Sequence, residues 1–301
     1  MNFRIADNTS STDLATRINS QRGRLNTLQE QLTTGKRINR PSDDPSGAEM
    51  VLNLRISQNE ITQFERSNQA AAQQLGAADD TLNSYQTVLE RVRTLVTQGL
   101  SDTSTQAARN AIATELDALR TRILSVANTQ NSGDYLFGGT RQNAPPFDPV
   151  TGVQAVTPTT AQYVQIEPGA NAIATGVTAD TIFSDSTSTI FADLTNAAAA
   201  LRGTGNAVAD RATLENTSSR LVIYTDQANN ARAIIGANMN ATDIAKDNLS
   251  NSFSSLDERA TDIEGTDFAA AAIGLSDAQR SLDATLQIAA NGRKSLFDFL
   301  S

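Results

Sequence analysis

The 301-residue chain carries a formal charge of −9, and only 39% of its residues are hydrophobic and 5% aromatic. It contains no cysteine and no histidine, which excludes disulfides, a thiolate nucleophile and the zinc, haem and acid–base sites that use these side chains. We therefore expect no catalytic residue, no cofactor and no metal site. The acidic balance also argues against a nucleic-acid partner, since phosphate binding needs a basic surface.

The sequence contains no apolar run of about 18 residues, the length that spans a bilayer. Its first residues also lack the apolar stretch of a secretory signal. The residues alone therefore predict no membrane insertion and favour a cytosolic protein.

The first predicted element is a long amphipathic helix that ends near Gly35. Its apolar residues alternate at spacings of four and three, which is the pattern of a coiled-coil seam, with Gln21 as a polar exception. The apolar members are Leu14, Ile18, Leu25, Leu28 and Leu32.

A break between helices follows the first stripe. Pro41 removes a backbone donor and disfavours the α conformation in the residue before it. Asp44 followed by Pro45 predicts a helix N-cap with proline at the first helical position. The chain is therefore expected to end one helix before this break and to begin another at Pro45.

The same alternation resumes at Met50 and continues to Val96. A helix from about Pro45 to Leu100 would be ~80 Å long at ~1.5 Å per residue. No compact domain buries such a helix by itself, so we expect other long helices to pair with it.

Helical periodicity ends at Asn131, after a further helix that should run back antiparallel. Residues 141–187 are rich in proline, glycine and threonine and predict a small β-rich insert. Within it, Tyr163 to Ile166 and Thr181 to Phe183 are expected to be strands, because they are short β-branched or aromatic runs.

Helices return from Thr189, and a long one ends at an acidic break between Asp262 and Ala269. The last predicted helix again carries a leucine-rich stripe, formed by Leu275, Leu282, Leu286, Leu296 and Leu300.

The break after the first helix carries a family resemblance. The run Gly-Lys-Arg-Ile-Asn-Arg-Pro-Ser-Asp-Asp-Pro-Ser-Gly, residues 35–47, resembles the N-terminal signature of the bacterial flagellin superfamily. Its Pro41 to Pro45 form, the acidic break and the end from Leu296 to Leu300 resemble the hook–filament junction members of that family more than its filament subunits.

Periodicity and resemblance together predict a mainly α fold, an elongated antiparallel helical bundle and coiled coil with a small β-rich insert. The expected domains are an inner terminal coiled coil of residues 1–44 and 265–301, a helical rod of residues 45–140 and 188–264, and an outer insert of residues 141–187.

The resemblance implies a structural role rather than an enzymatic one. It implies a subunit of the hook–filament junction of the bacterial flagellum, exported through the flagellar type III apparatus without a cleaved signal peptide. The implied partners are copies of the same chain in a ring, the preceding hook-associated junction protein, flagellin and an export chaperone.

The two leucine stripes are the predicted subunit-packing residues. They could pair with each other inside one chain, but two paired helices bury only one side each. Burying one leucine fully contributes ~1.5–3 kcal/mol, so partly exposed stripes would favour association with neighbouring subunits. We favour packing between subunits over packing within one chain.

The segment from Leu89 to Leu95 resembles the flagellin segment that innate immune receptors of the Toll-like type 5 class recognise. Arg91 and Leu95 are the matching positions, whereas Glu90 stands where glutamine is usual. The alternative is that Arg91 is a solvated helix charge or a subunit-packing contact, which we favour.

Other functions remain as alternatives. The chain could be a short filament flagellin or a secreted coiled-coil adhesin, and an enzyme would have to reside in the insert. The carboxylate pairs Asp43-Asp44 and Asp79-Asp80 are better explained as structural, because adjacent side chains of a helix point to different sides.

Overall fold

The computed structural model describes residues 3–101, 104–154 and 160–298. Its long helices are α1 (Phe3–Thr34), α2 (Pro45–Gly99), α3 (Gln106–Ala127), α6 (Ala207–Glu264) and α7 (Phe268–Asp298), and its shorter ones are α4 (Ala179–Phe183) and α5 (Ile190–Arg202). The predicted mainly α fold is confirmed. The predicted helix from Pro45 to Leu100 corresponds to α2.

The strands are short and form two separate antiparallel pairs. β1 (Gln130–Asn131) pairs with β2 (Asp134–Tyr135), and β3 (Tyr163–Val164) pairs with β4 (Ile173–Ala174). The first predicted strand is thus present as β3.

The second predicted strand, Thr181 to Phe183, is wrong, because these residues belong to α4. Ile182 and Phe183 are adjacent in sequence and both fully buried. Adjacent side chains of a strand point to opposite faces, whereas a short helix can turn both towards one core. The β-branched and aromatic composition predicted a strand here, but burial decided the local conformation.

The chain divides into two compact units. One contains the residues up to Glu60 together with those from Ser252 onwards, and the other contains Ile61–Asn251. These divisions fall inside α2 and α6, whereas the predicted domain boundaries lie at the helix breaks. The three-domain division therefore stays a prediction.

The core of the second unit is built from the four-three stripe of α2 and facing residues of α3, α5 and α6. In this unit the α2 stripe is half-buried at Phe64 and buried at Ile61, Asn68, Ala71, Leu75, Ala78, Leu82, Tyr85, Leu89, Val92 and Val96. The predicted start of the stripe, which lies in the first unit, was wrong by one residue. Met50 is 57% exposed, and Val51 is buried instead.

Polar contacts fix α2 against α6 in this unit. The buried Asn68 donates from Nδ2 to the Thr242 carbonyl at 2.7 Å. Asp79 accepts from Arg232 at 2.8 and 3.1 Å. Increasing residue numbers in α2 thus meet decreasing numbers in α6, so the two helices run antiparallel, as predicted.

Five aromatic rings join the segment between α3 and α5 to this core. Phe183 contacts Tyr85 at 4.8 Å between ring centroids, and Phe147 contacts Phe191 at the same distance, both edge to face. Phe137 lies 5.7 Å from Phe183. The five rings are almost fully buried, so residues of the predicted insert and its flanks contribute to the core of the second unit.

A buried polar network holds α5 to α6. Arg220 is paired with Asp185 at 2.8 Å and with Asp193 at 2.5 Å. The Tyr224 hydroxyl donates to Asp193 at 2.7 Å. By contrast, the hydroxyl of the fully buried Tyr85 has no hydrogen-bond partner in the described part of the chain.

The surroundings of these two tyrosines predict different effects when each hydroxyl is removed. Tyr85→Phe removes a buried hydroxyl without a partner and should leave the free energy of unfolding unchanged or raise it by up to about 1 kcal/mol. The matched change Tyr224→Phe breaks the bond to Asp193 and should lower it by about 1–3 kcal/mol. Urea titrations followed by circular dichroism measure both, and equal losses in the two variants would contradict the expectation.

Candidate functional site

Helices α1 and α7 pack against each other in the first unit. The predicted packing residues of α1 lie along one face, and Leu14, Ile18, Leu25, Leu28 and Leu32 are each half-buried. None of the five is fully buried, so pairing within the chain covers this stripe only in part.

Small residues of α7 allow this approach. Ala271 and Ala278 are buried, and a Cβ on Gly274 would lie 3.5 Å from a methyl group of Leu28. The predicted packing residues did not include these positions, because the predicted stripe consisted of leucines. The spacing of seven between Ala271 and Ala278 was the available signal, since residues seven apart share one face of a coiled-coil helix.

The leucines of α7 are less covered than its alanines. Leu275 and Leu282 are half-buried, and Leu286 is 39% exposed. The side chain of Leu296 and the whole of Leu300 lie outside the described residues. Packing of these stripes between subunits therefore stays a prediction.

A second apolar surface lies on α7, away from its buried alanines. Ile273 and Ile288 are 65% and 67% exposed. The corresponding surface of α1 is polar, and includes the exposed Arg17, Arg22 and Arg24. Helix α7 therefore carries apolar side chains on more than one side, whereas the large apolar side chains described for α1 lie on one side only.

The predicted break lies between the end of α1 at Thr34 and the start of α2 at Pro45. Gly35 has φ of +70°, the left-handed conformation that ends many helices. Asp44 accepts the Gly47 backbone N–H at 2.9 Å, so it caps α2, with Pro45 as the first helical residue. Pro41 is exposed in the turn between them.

The two breaks of the chain are hydrogen-bonded to each other. Lys36 and Gly265 form an antiparallel bridge. The Arg37 N–H donates to the Glu264 carbonyl at 2.6 Å, and the Thr266 N–H donates to the Gly35 carbonyl at 3.0 Å. Both breaks were predicted, but their pairing was not, because hydrogen bonds between residues more than 200 positions apart leave no local pattern.

The Glu264 side chain lies among cations at this junction and is 14% exposed. Its carboxylate accepts from Lys36 at 3.0 Å and from Arg55 of α2 at 2.7 Å. Burial raises the pKa of Glu264, but the hydrogen bonds and charges of Lys36 and Arg55 outweigh it and hold the pKa below its usual value of 4.5. The carboxylate is therefore ionised at neutral pH.

The two receptor-like positions differ in accessibility. Arg91 is exposed and paired with Glu115 at 2.6 Å, whereas Leu95 is 2% exposed and belongs to the core. The Leu95 side chain is therefore not available to a partner in this fold. Recognition through Arg91 stays a prediction.

The carboxylate pairs have structural contacts. Asp43 accepts the backbone N–H groups of Asn39 and Arg40, Asp44 caps α2, and Asp79 is paired with Arg232. Among the described residues, no group of three or more acidic side chains is placed to hold a metal ion. No helix in the same residues is long and apolar enough to cross a bilayer.

Comparison with known proteins confirms the resemblance found in the sequence. Residues 5–142 match the family described as the bacterial flagellin N-terminal helical region. Flagellar hook-associated protein 3 of Salmonella typhimurium is 31% identical over 126 residues, which are 42% of this chain and 40% of that protein. The chain thus aligns with less than half the length of this relative.

Two further comparisons cover more than the first half of the chain. A flagellin of Listeria innocua is 25% identical over 250 residues, 80% of this chain and 79% of that protein. A solved structure from Vibrio parahaemolyticus, assigned as a flagellar hook-associated protein, is 21% identical with a TM-score of 0.68, over 74% of this chain and 100% of that one. At this identity the structural likeness supports the fold alone.

The pKa of Glu264 predicts how the paired breaks respond to acid. Because its folded pKa lies below the unfolded one, the stabilisation is complete above about pH 4.5 and is lost as the pH falls through the folded value. Hydrogen exchange of the Arg37 amide should report an opening free energy that is constant from pH 6 to about 5 and falls at lower pH.

The control for this experiment is Glu264→Gln, which should remove most of that pH dependence. Asp43, Asp44, Asp262 and Asp267 are further carboxylates near this junction in sequence, and the variant leaves them unchanged. An equally steep dependence in Glu264→Gln would assign the effect to them.

Proposed function

We propose that the chain is a structural subunit of the bacterial flagellum that forms the hook–filament junction on which flagellin assembles, since residues 5–142 match the family described as the bacterial flagellin N-terminal helical region. The observation that carries the proposal is the helix pair α1–α7, whose apolar stripes remain partly exposed. Neither helix buries its stripe alone, so a neighbouring subunit supplies the missing cover.

The proposed role is a mechanical one. Helices α1 and α7 are the assembly elements, and Leu14, Ile18, Leu25, Leu28, Leu32, Leu275, Leu282, Leu286, Leu296 and Leu300 are the proposed packing residues. Completing the burial of one such leucine is worth up to ~1.5–3 kcal/mol, so several together provide a strong drive to associate. The chain performs no chemistry and uses no cofactor in this role.

The proposed partners follow from the position of a junction protein. Copies of this chain would form a ring, the preceding hook-associated protein would lie beneath it, and flagellin would assemble on top. An export chaperone would cover the exposed apolar surface of α7 before assembly, and export would proceed without a cleaved signal peptide. The proposed location is the flagellum, outside the cell.

A junction protein is favoured over a filament subunit by the residues of the first break. Pro41 and Pro45 flank the cap of α2, and this form resembles the junction members of the family. The Listeria flagellin, which aligns over most of its length, supports a short filament flagellin as the second candidate. The two differ in assembly, because a filament interface must repeat without end whereas a junction interface must stop.

The first experiment uses this difference in assembly. The purified chain, concentrated alone or mixed with filament seeds, should form no long filaments. Added to hooks that lack it, the same protein should restore filament growth from flagellin. Electron micrographs measure both results, and micrometre-long filaments of this chain alone would make it a flagellin.

A variant of α7 tests the proposed packing surface. Leu286→Asp places a charge on a side chain that is 39% exposed in the single chain, so thermal unfolding of the helical core should change little. In an interface the same charge costs several kcal/mol, so incorporation into hooks should fall at least tenfold.

The matched control is Gln287→Asp, which adds the same charge at the exposed neighbouring position of α7. It points to a different side of the helix and should incorporate normally. Equal losses in both variants would indicate a general effect of charge on α7, and normal incorporation of Leu286→Asp would remove Leu286 from the interface.

A further inference from the structure

The two breaks form a junction between four segments of the first unit. The residues after α1 supply Lys36 and Arg37, α2 supplies Arg55, and Glu264 and Gly265 close the end of α6, directly before α7. Only a few backbone hydrogen bonds join the breaks, and their apolar cover includes Ile38 and Val51, which are 8% and 7% exposed. The ion pairs of Lys36 and Arg55 with Glu264 add to these contacts.

We propose that Glu264 is a positioning residue that holds the helix pair α1–α7 in one orientation on the adjoining turns of α2 and α6. Its backbone carbonyl accepts from Arg37, and its carboxylate accepts from Lys36 and Arg55. One residue thus contacts the end of α1 and the first turns of α2 from the end of α6.

The neighbouring ion pairs of the junction do not replace those of Glu264. The Arg37 guanidinium bonds to the Ile263 carbonyl at 3.0 Å and to Asp44 at 3.2 Å, which ties the same segments. Among the described residues, however, Glu264 is the only acidic partner of Arg55. Arg40 pairs with Glu30 of α1 at 3.4 Å. Lys36 and Arg55 therefore converge on a single carboxylate, and neutralising it leaves both cations without an acidic partner among the described residues.

Backbone geometry makes the junction specific. A Cβ on Gly265 would lie 2.5 Å from the Thr261 carbonyl oxygen, so this position accepts no larger residue without a shift. Gly35 has positive φ and carries the carbonyl that accepts from Thr266. The bridge between the breaks therefore has one close-fitting arrangement, which the Glu264 ion pairs stabilise.

The consequence for assembly rests on the proposed function. The apolar stripes of α1 and α7 can meet a neighbouring subunit only if the helix pair leaves the junction in a defined direction. A fixed orientation lowers the conformational entropy lost on association, which is the advantage of preorganisation.

The orientation is measurable by spin labelling because the native chain contains no cysteine. Asn26 on α1 and Asn59 on α2 are both exposed and both lie in the first unit. Cysteines at these two positions carry the labels, and electron–electron double resonance reports the distribution of distances between them. The otherwise unaltered chain should give one narrow distribution.

Glu264→Gln keeps the size of the side chain and removes its charge. It should broaden the distance distribution and speed exchange of the Arg37 amide about tenfold, the factor that ~1.4 kcal/mol corresponds to. The matched control, Glu258→Gln, makes the same change at an exposed carboxylate of the same helix and should leave both readings as they were. A narrow, unshifted distribution in Glu264→Gln would overturn the proposal.

Arg55→Gln gives an independent route to the same contact. If both residues act through their ion pair, the double variant should be no broader than the broader single variant, whereas additive effects would mean that Arg55 and Glu264 act separately. Circular dichroism of each variant shows whether the helices remain intact. Loss of helix in Glu264→Gln would also count against a positioning role, since that role leaves the helices folded.

The assembly measurement separates this proposal from the proposed function. Glu264→Gln should restore filament growth on hooks at least tenfold less well than Glu258→Gln. If even the unaltered chain fails to restore growth, the proposed function is wrong, and the distance distributions still decide the role of Glu264. Glu264→Gln could broaden the distance distribution and still restore filament growth fully. The orientation of the helix pair would then not limit assembly, and the claim that it matters for assembly would be wrong.

Discussion

The pairing of helices from the two ends of the sequence is the interaction on which the rest of the structure depends. A 55-residue helix such as α2 has a single apolar stripe, and it becomes stable in water only when another helix covers that stripe. Helix α6 provides this cover in the second unit, where Asn68 donates to Thr242 and Asp79 pairs with Arg232. The first unit repeats the arrangement with α1 and α7, but with leucines against small residues.

The two units bury their stripes to different extents, and this difference connects structure with function. The second unit adds α3, α4, α5 and an aromatic cluster to the helix pair, so Leu75, Leu82 and Tyr85 are fully buried. The described part of the first unit adds no such layer, and its described leucines on α1 and α7 are half-buried or exposed. Its remaining apolar surface is the proposed assembly surface, and the junction around Glu264 connects α1 and α7 to the adjoining ends of α2 and α6.

Polar residues inside apolar stripes have specific partners in this fold. Asn68 interrupts the stripe of α2, yet it is buried because its amide reaches a carbonyl of α6. Asp193 and Arg220 are buried together because each satisfies the other and both bond to Tyr224. A buried polar group without a partner is costly, so these contacts favour one register of the helices over neighbouring ones.

The sequence by itself determined the long helices, the breaks between them and the buried stripe of α2, because periodicity, glycine, proline and capping residues act over a few neighbouring positions. The cap at Asp44 and the buried run from Ile61 to Val96 were readable for this reason. Only the tertiary structure decided that Thr181 to Phe183 is helical, that Leu95 is inaccessible, and that Lys36, Arg55 and Glu264 meet. These outcomes depend on burial and on contacts between residues distant in the chain, for which a single sequence carries no local signal.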